Sequence, residues 1–190
     1  MAQNQIKIQN SLELSNINDE IIKIMRKIRR TYRHYQKKCE IEYHSLLCPR
    51  YCFSCKKLSQ LETLARNLLF IKASFEVITA IINNNIVNLW KMWSWGFEPD
   101  TFIKVDLEGG TCSEFINTIK QKLEDIKANA ANTNISKSAK REIDRIIKDS
   151  ENVLDKIKGY DECTVHTIDR LINKIEYQAS YEYFHEYFDS

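Results

Sequence analysis

The sequence predicts an all-α fold: a bundle of about five helices, two of them long, with a cysteine-rich turn between the first two. Three observations lead there. Only 4 Gly and 2 Pro punctuate 190 residues, too few for a turn-rich sandwich or barrel. Apolar residues recur at helical spacing over most of the chain. With 43% hydrophobic and 28% charged residues, the composition is that of a chain that buries a core. The expectation is a single helical domain over 1–190, with a basic helix and cysteine cluster at 16–57 and a helical body at 58–190.

The first helix is expected from about Asn16 to Tyr43. Ile17, Ile21, Ile24, Ile28, Tyr35 and Cys39 share one narrow arc, with Lys23, Arg26, Lys27, Arg30, His34 and Lys37 almost opposite. Pro49 interrupts the pattern in CPRYCFSCKK. Ser59-Gln-Leu-Glu62 has the form of a capping box for the second long helix. Leu61, Leu64, Leu68, Phe75, Ile78, Ile82, Ile86 and Leu89 keep its apolar face, and Asn83-Asn84-Asn85 is a weak stretch within it. Trp90, Trp93 and Trp95 precede Gly96 and Pro99, which end it. Residues 101–107 alternate in polarity and read as an extended connector.

Thr111-Cys-Ser-Glu114, another capping box, opens a third helix carrying Phe115, Ile119, Leu123 and Ile126. The polar ANTN at 131–134 is expected to be a mobile linker. Ser136 caps a fourth helix with Ile143, Ile146, Ile147, Leu154 and Ile157 inward, stopped by Gly159 at C′. A last helix over 164–188 carries Ile168, Leu171, Ile172 and Ile175. Its end places Tyr177, Tyr181, Phe184 and Phe188 on one acidic, aromatic stripe suited to packing or self-association.

Formal net charge is +2, but residues 1–60 carry 12 Lys/Arg against 5 Asp/Glu and residues 160–190 carry 2 against 7. Lys23, Arg26, Lys27, Arg29, Arg30, Arg33, Lys37 and Lys38 follow one another with no carboxylate between them. Like charges so arranged weaken a helix, and arginine forks suit phosphate, so this stripe is expected to bind phosphate groups. A solvated helix surface is the plainer alternative. The most apolar run, Leu68 to Ile82, is interrupted by Lys72 and Glu76, and no membrane span is expected. MAQNQIKIQN lacks a secretory signal's apolar core, which predicts cytosolic, reduced thiols.

Cys39, Cys48, Cys52 and Cys55 lie within one 17-residue window with His44 among them. Cys52 and Cys55 have the two-residue gap common in half of a tetrahedral zinc site. The other half comes from Cys39 with either Cys48 or His44. Four buried thiols with no metal are the alternative, and isolated Cys112 and Cys163 are expected to be core residues. No Gly-rich phosphate loop, G-x-S-x-G or H-E-x-x-H occurs, so a non-enzyme is expected.

The helical chain, its Asn/Ile/Lys-rich composition, the basic first helix and the Cys39…Cys48…Cys52-Phe53-Ser54-Cys55 cluster together resemble the small RNA-silencing suppressors of criniviruses. That resemblance implies a viral protein that binds double-stranded RNA in the host cytoplasm and shields it from dicing. It also implies that the cysteine cluster is the family's zinc-finger motif. Sequence-independent recognition of the duplex is expected, through phosphates and 2′-hydroxyls. Host silencing proteins and a second copy of the chain are further expected partners. The alternative class is a helical adaptor that targets host factors through its Trp and Tyr faces.

Overall fold

The computed structural model describes residues 2–44, 53–83, 111–157, 159–160 and 165–188. Its helices are α1 (Ala2–His44), α2 (Phe53–Ile82), α3 (Ser113–Asn132), α4 (Lys137–Lys156) and α5 (Val165–Tyr177). The last continues through a wide π-helical turn, Gln178–Tyr183, into α6 (Phe184–Phe188). Two two-residue strands, β1 (Thr111–Cys112) and β2 (Gly159–Tyr160), pair in parallel. The fold is all-α, as expected. No helix among the described residues is long and apolar enough to cross a membrane.

Helix α1 has 43 residues, about 64 Å at 1.5 Å per residue. It begins well before Asn16, because nothing in the preceding stretch breaks a helix. There Asn10 and Leu14 continue the buried stripe, and the polar Asn10 disguises its period. Helix α2 runs back along α1. Ser11 Oγ lies 3.1 Å from Asn83 Oδ1 at one end, and Tyr32 OH donates to Glu62 Oε1 at 3.0 Å midway. At the other end Cys39 and Cys55 are joined, Cα to Cα 5.9 Å. All three contacts belong to one antiparallel register.

Helix α2 is the central element. Leu64, Leu68, Phe70, Phe75 and Ile78 are all essentially buried, at roughly 1.5–3 kcal/mol for each side chain withdrawn from water. Such all-round burial needs neighbours on several sides, and α1, α3 and the C-terminal helix supply them. The helix starts at Phe53, so Ser59 is an interior residue and not its cap. The Ser59 carbonyl accepts from Thr63 Oγ1 at 3.0 Å. FSCKKL contains no helix breaker, which lets the helix propagate upstream of the expected start. It ends at Ile82, with Asn83 in a turn whose N–H donates to Thr79 O at 3.1 Å. The continuation through Leu89, the three Trp residues and the connector at 101–107 lie outside the described residues.

Helix α4 lies antiparallel against the other flank of α1. Lys156 Nζ reaches Glu13 at 2.8 Å, Lys27 pairs with Glu142, and Asn134 Nδ2 donates to Tyr35 OH at 2.7 Å. The ANTN segment is therefore pinned to α1, contrary to the expected mobile linker. Thr133 is buried, and its hydroxyl donates to Asn129 O at 2.6 Å. Ser136 does cap α4, accepting from the Ala139 N–H at 3.1 Å. The far end of α4 caps on extended Ile157, and Gly159 enters β2 in place of the expected C′ role. Thr111 likewise belongs to β1, so α3 starts at Ser113 and not at a Thr111 capping box.

Candidate nucleic-acid interface

With Ile17, Ile21, Ile24, Ile28 and Tyr35 inward, helical geometry turns the basic stripe of α1 toward solvent. Lys23, Arg26, Lys27, Arg30, Arg33, Lys37 and Lys38 are all exposed. Arg29 departs from the expected exposure. It is half-buried, and its Nε is enclosed without a hydrogen-bond partner. The row from Lys23 to Lys37 covers about 21 Å along the axis.

Carboxylates from outside the stripe reach its N-terminal part, which sequence reasoning missed. Lys23 pairs with Glu20 at 2.9 Å one turn upstream, and Lys27 pairs with Glu142 from α4. Glu20 also accepts from Arg145. The hydrogen bond from Lys23, with both cations nearby, holds the Glu20 carboxyl below its ordinary range. The Lys156 ammonium does the same for Glu13. Around these groups Glu13, Asp19, Glu20, Asp149, Lys23 and Lys156 line a cleft of about 450 Å³ between α1 and α4. Farther along the helix, Arg26, Arg30, Lys37 and Lys38 have no ion pair among the described residues. The usable cationic surface therefore lies from Arg26 onward.

The C-terminal helix forms the other border of the stripe. Its buried positions are Leu171, Ile175, Ala179, Phe184 and Phe188, spaced by four residues except across the π turn, where the step is five. That extra residue rotates the expected stripe out of phase. Phe184 and Phe188 are buried and stack on each other at 4.6 Å, both edge-on to Tyr32 of α1. Tyr177 and Tyr181 are left exposed at 49% and 56%, with ring centroids 4.9 Å apart. Tyr187 lies near Arg26, and burial is the main cause of its raised pKa, with Glu186 and Glu76 adding to it and Arg26 opposing.

A buried polar cluster holds the π turn against α2. Lys72 pairs with Glu76, with side-chain exposures of 8% and 29%, and its ammonium lies 4.0 Å from the centroid of the Tyr183 ring. The Tyr183 hydroxyl donates to Glu76 and accepts from Gln178 Nε2 at 3.1 Å. Burial and the Glu76 carboxylate push the Tyr183 phenol far above its ordinary pKa. Arg66 donates to the Ser180 carbonyl at 2.8 Å and packs 4.4 Å from the Phe184 ring centroid. The only warning in the sequence was the pair Lys72 and Glu76 within the most apolar run.

Of the expected zinc set, the described residues include only Cys39 and Cys55, and the structure brings these two together. Cys39 and Cys55 are bonded to each other, and a disulfide sulfur is no thiolate ligand. The expectation of reduced thiols is corrected for this pair. Cys48, Cys52 and the His44 side chain lie outside the described residues, as do the side chains of Cys112 and Cys163. Among the described residues, no three His, Cys, Asp or Glu side chains are grouped to hold a metal ion. No protein-family model, curated protein or solved structure matches the chain.

Proposed function

We propose that the chain binds double-stranded RNA through the exposed cationic row of α1 and acts as a suppressor of RNA silencing of the crinivirus kind. One observation carries the phosphate-binding part. Arg26, Arg30, Arg33, Lys37 and Lys38 stand on the solvent face of a rigid helix, within a stretch that contains no carboxylate. A-form RNA hides its base edges in a deep, narrow major groove and presents a regular line of phosphates. A straight row of cations matches that line without reading sequence. Arg also forms bidentate contacts with phosphate.

The test is binding of an RNA duplex across a salt series. Five neutralised phosphates give a log–log slope of about −4 or steeper. Arg30→Glu with Lys37→Glu, both at exposed positions, should abolish binding and leave the thermal melt unchanged. Arg29 is unsuited to this test, since its half-buried side chain would disturb packing. Salt-insensitive binding would overturn the reading. So would silencing suppression that survives in the double variant, in favour of an adaptor that works through the exposed Tyr177 and Tyr181.

A further inference from the structure

Helix α4 carries a second row of cations. Lys137, Arg141, Arg145 and Lys148 recur at steps of four, four and three, so they share one helical stripe, and all four are exposed. The Lys27–Glu142 pair and the Asn134–Tyr35 bond fix where this row falls. Lys137 and Arg141 lie between those two ties, alongside the stretch of α1 that holds Arg30 and Arg33. Neither forms an ion pair among the described residues. Residues 26–38 and 134–141 together contain no Asp or Glu.

The two helices are antiparallel, and helices in contact lie ~8–10 Å apart, axis to axis. At the basic end of the pair the two exposed cationic rows therefore stand at the same axial level, one on each of two packed helices. A single line can follow one phosphate strand. Two rows on neighbouring helices, their side chains reaching outward from the axes, can meet the two strands that border the wide, shallow minor groove of an A-form duplex. The opposite end of the pair cannot join in, because Glu13, Asp19, Glu20 and Asp149 line the cleft there.

We infer that Lys137 and Arg141 of α4 contact the second strand of a bound duplex, and that they set the preference for double-stranded over single-stranded RNA. This rests on the α1 reading above and assigns to α4 a role that reading does not contain.

The experiment compares wild type, Lys137→Gln/Arg141→Gln and Arg30→Glu/Lys37→Glu. Each binds an RNA duplex and one of its strands alone, across a salt series, with thermal melts as the folding control. The α4 variant should lose at least about tenfold in duplex affinity at low salt and about two units of salt slope. Its single-strand affinity should stay near wild type. Unchanged duplex binding in the α4 variant, with binding lost in the α1 variant, would overturn the α4 inference and leave the α1 reading standing. Equal losses on duplex and single strand would also overturn it, since α4 would then add charge without choosing between them. Duplex binding retained by the α1 variant would remove the α1 reading, and the inference with it.

Discussion

Replacing Glu76 with Gln would test how the C-terminal helix is locked to the core. The change keeps the volume and keeps an oxygen to accept from Tyr183 OH, so only the negative charge is lost. Lys72 then carries its ammonium unpaired at 8% side-chain exposure. Breaking a buried pair costs about 3–5 kcal/mol, and the part-exposure of Glu76 reduces this to about 2–3 kcal/mol. For a chain of this size that is a fall of about 5–10 °C in Tm. Lys72→Met alone should cost only about 1 kcal/mol, because the Glu76 left behind reaches water and keeps its phenol donor. The double variant, Lys72→Met with Glu76→Gln, should return to within about 1 kcal/mol of wild type, a non-additive cycle. Urea unfolding followed by circular dichroism, with the m-value as a check on two-state behaviour, measures all four proteins. Additive effects in the cycle would refute the argument. So would a Glu76→Gln protein within about 0.5 kcal/mol of wild type, since Lys72 would then be solvated.

Three further outcomes follow from the same contacts. The Glu13 and Glu20 carboxyls are held low, so their contribution is present above their ordinary value of 4.5 and is lost as pH falls below it through their lowered folded-state values. The Tyr183 phenol is held high, so its contribution is present below its ordinary value of 10.0 and lost as pH rises beyond it; flat stability at both extremes would contradict these placements. Phe184→Ala removes the stack with Phe188, the edge contact to Tyr32 and the seat of Arg66, at about 3–5 kcal/mol by chemical unfolding. The Cys39–Cys55 link closes 16 residues, worth about 3 kcal/mol as a chain-entropy term. Wild type should lose that stability in reductant and Cys39→Ser should show no such dependence. Equal midpoints for oxidised and reduced wild type would argue against the bond, and elemental analysis of the reduced protein would report whether zinc takes its place.

How far the sequence revealed this structure depended on whether neighbours in the chain set the feature. The inward stripe of α1 and the Ser136 cap follow from local spacing, and both were legible. The start of α1 was not, because Asn10 sits in a buried position that a hydropathy period does not assign to Asn. Nor was the start of α2, where a capping-box pattern at Ser59 fell inside a helix that runs back unbroken to the exposed Phe53. The cationic face was visible as a run of residues. The pairing of Lys23 with Glu20 is local, but that of Lys27 depends on Glu142, more than a hundred positions away, and Arg30 and Lys37 have no ion pair among the described residues. The row on α4 was equally readable, but only the register of α4 against α1 sets it level with the basic stretch of α1. Tyr177 and Phe184, expected on one stripe, are divided into an exposed and a buried position because one inserted residue defeats a fixed helical period.

That inserted residue ties the backbone of the C-terminal helix to a side chain on α2. A π turn is one residue longer than the α-helix it interrupts, and the widened turn exposes a carbonyl to an outside donor. Arg66 is that donor, through its bond to Ser180 O. A homologous chain with one residue fewer between Ala179 and Phe184 would regain the four-residue step and keep both phenylalanines in the core. It would then offer Arg66 no carbonyl. The extra residue and the Arg66 hydrogen bond are thus coupled: in related chains a missing residue in the last helix is expected to go with loss of the arginine's carbonyl partner.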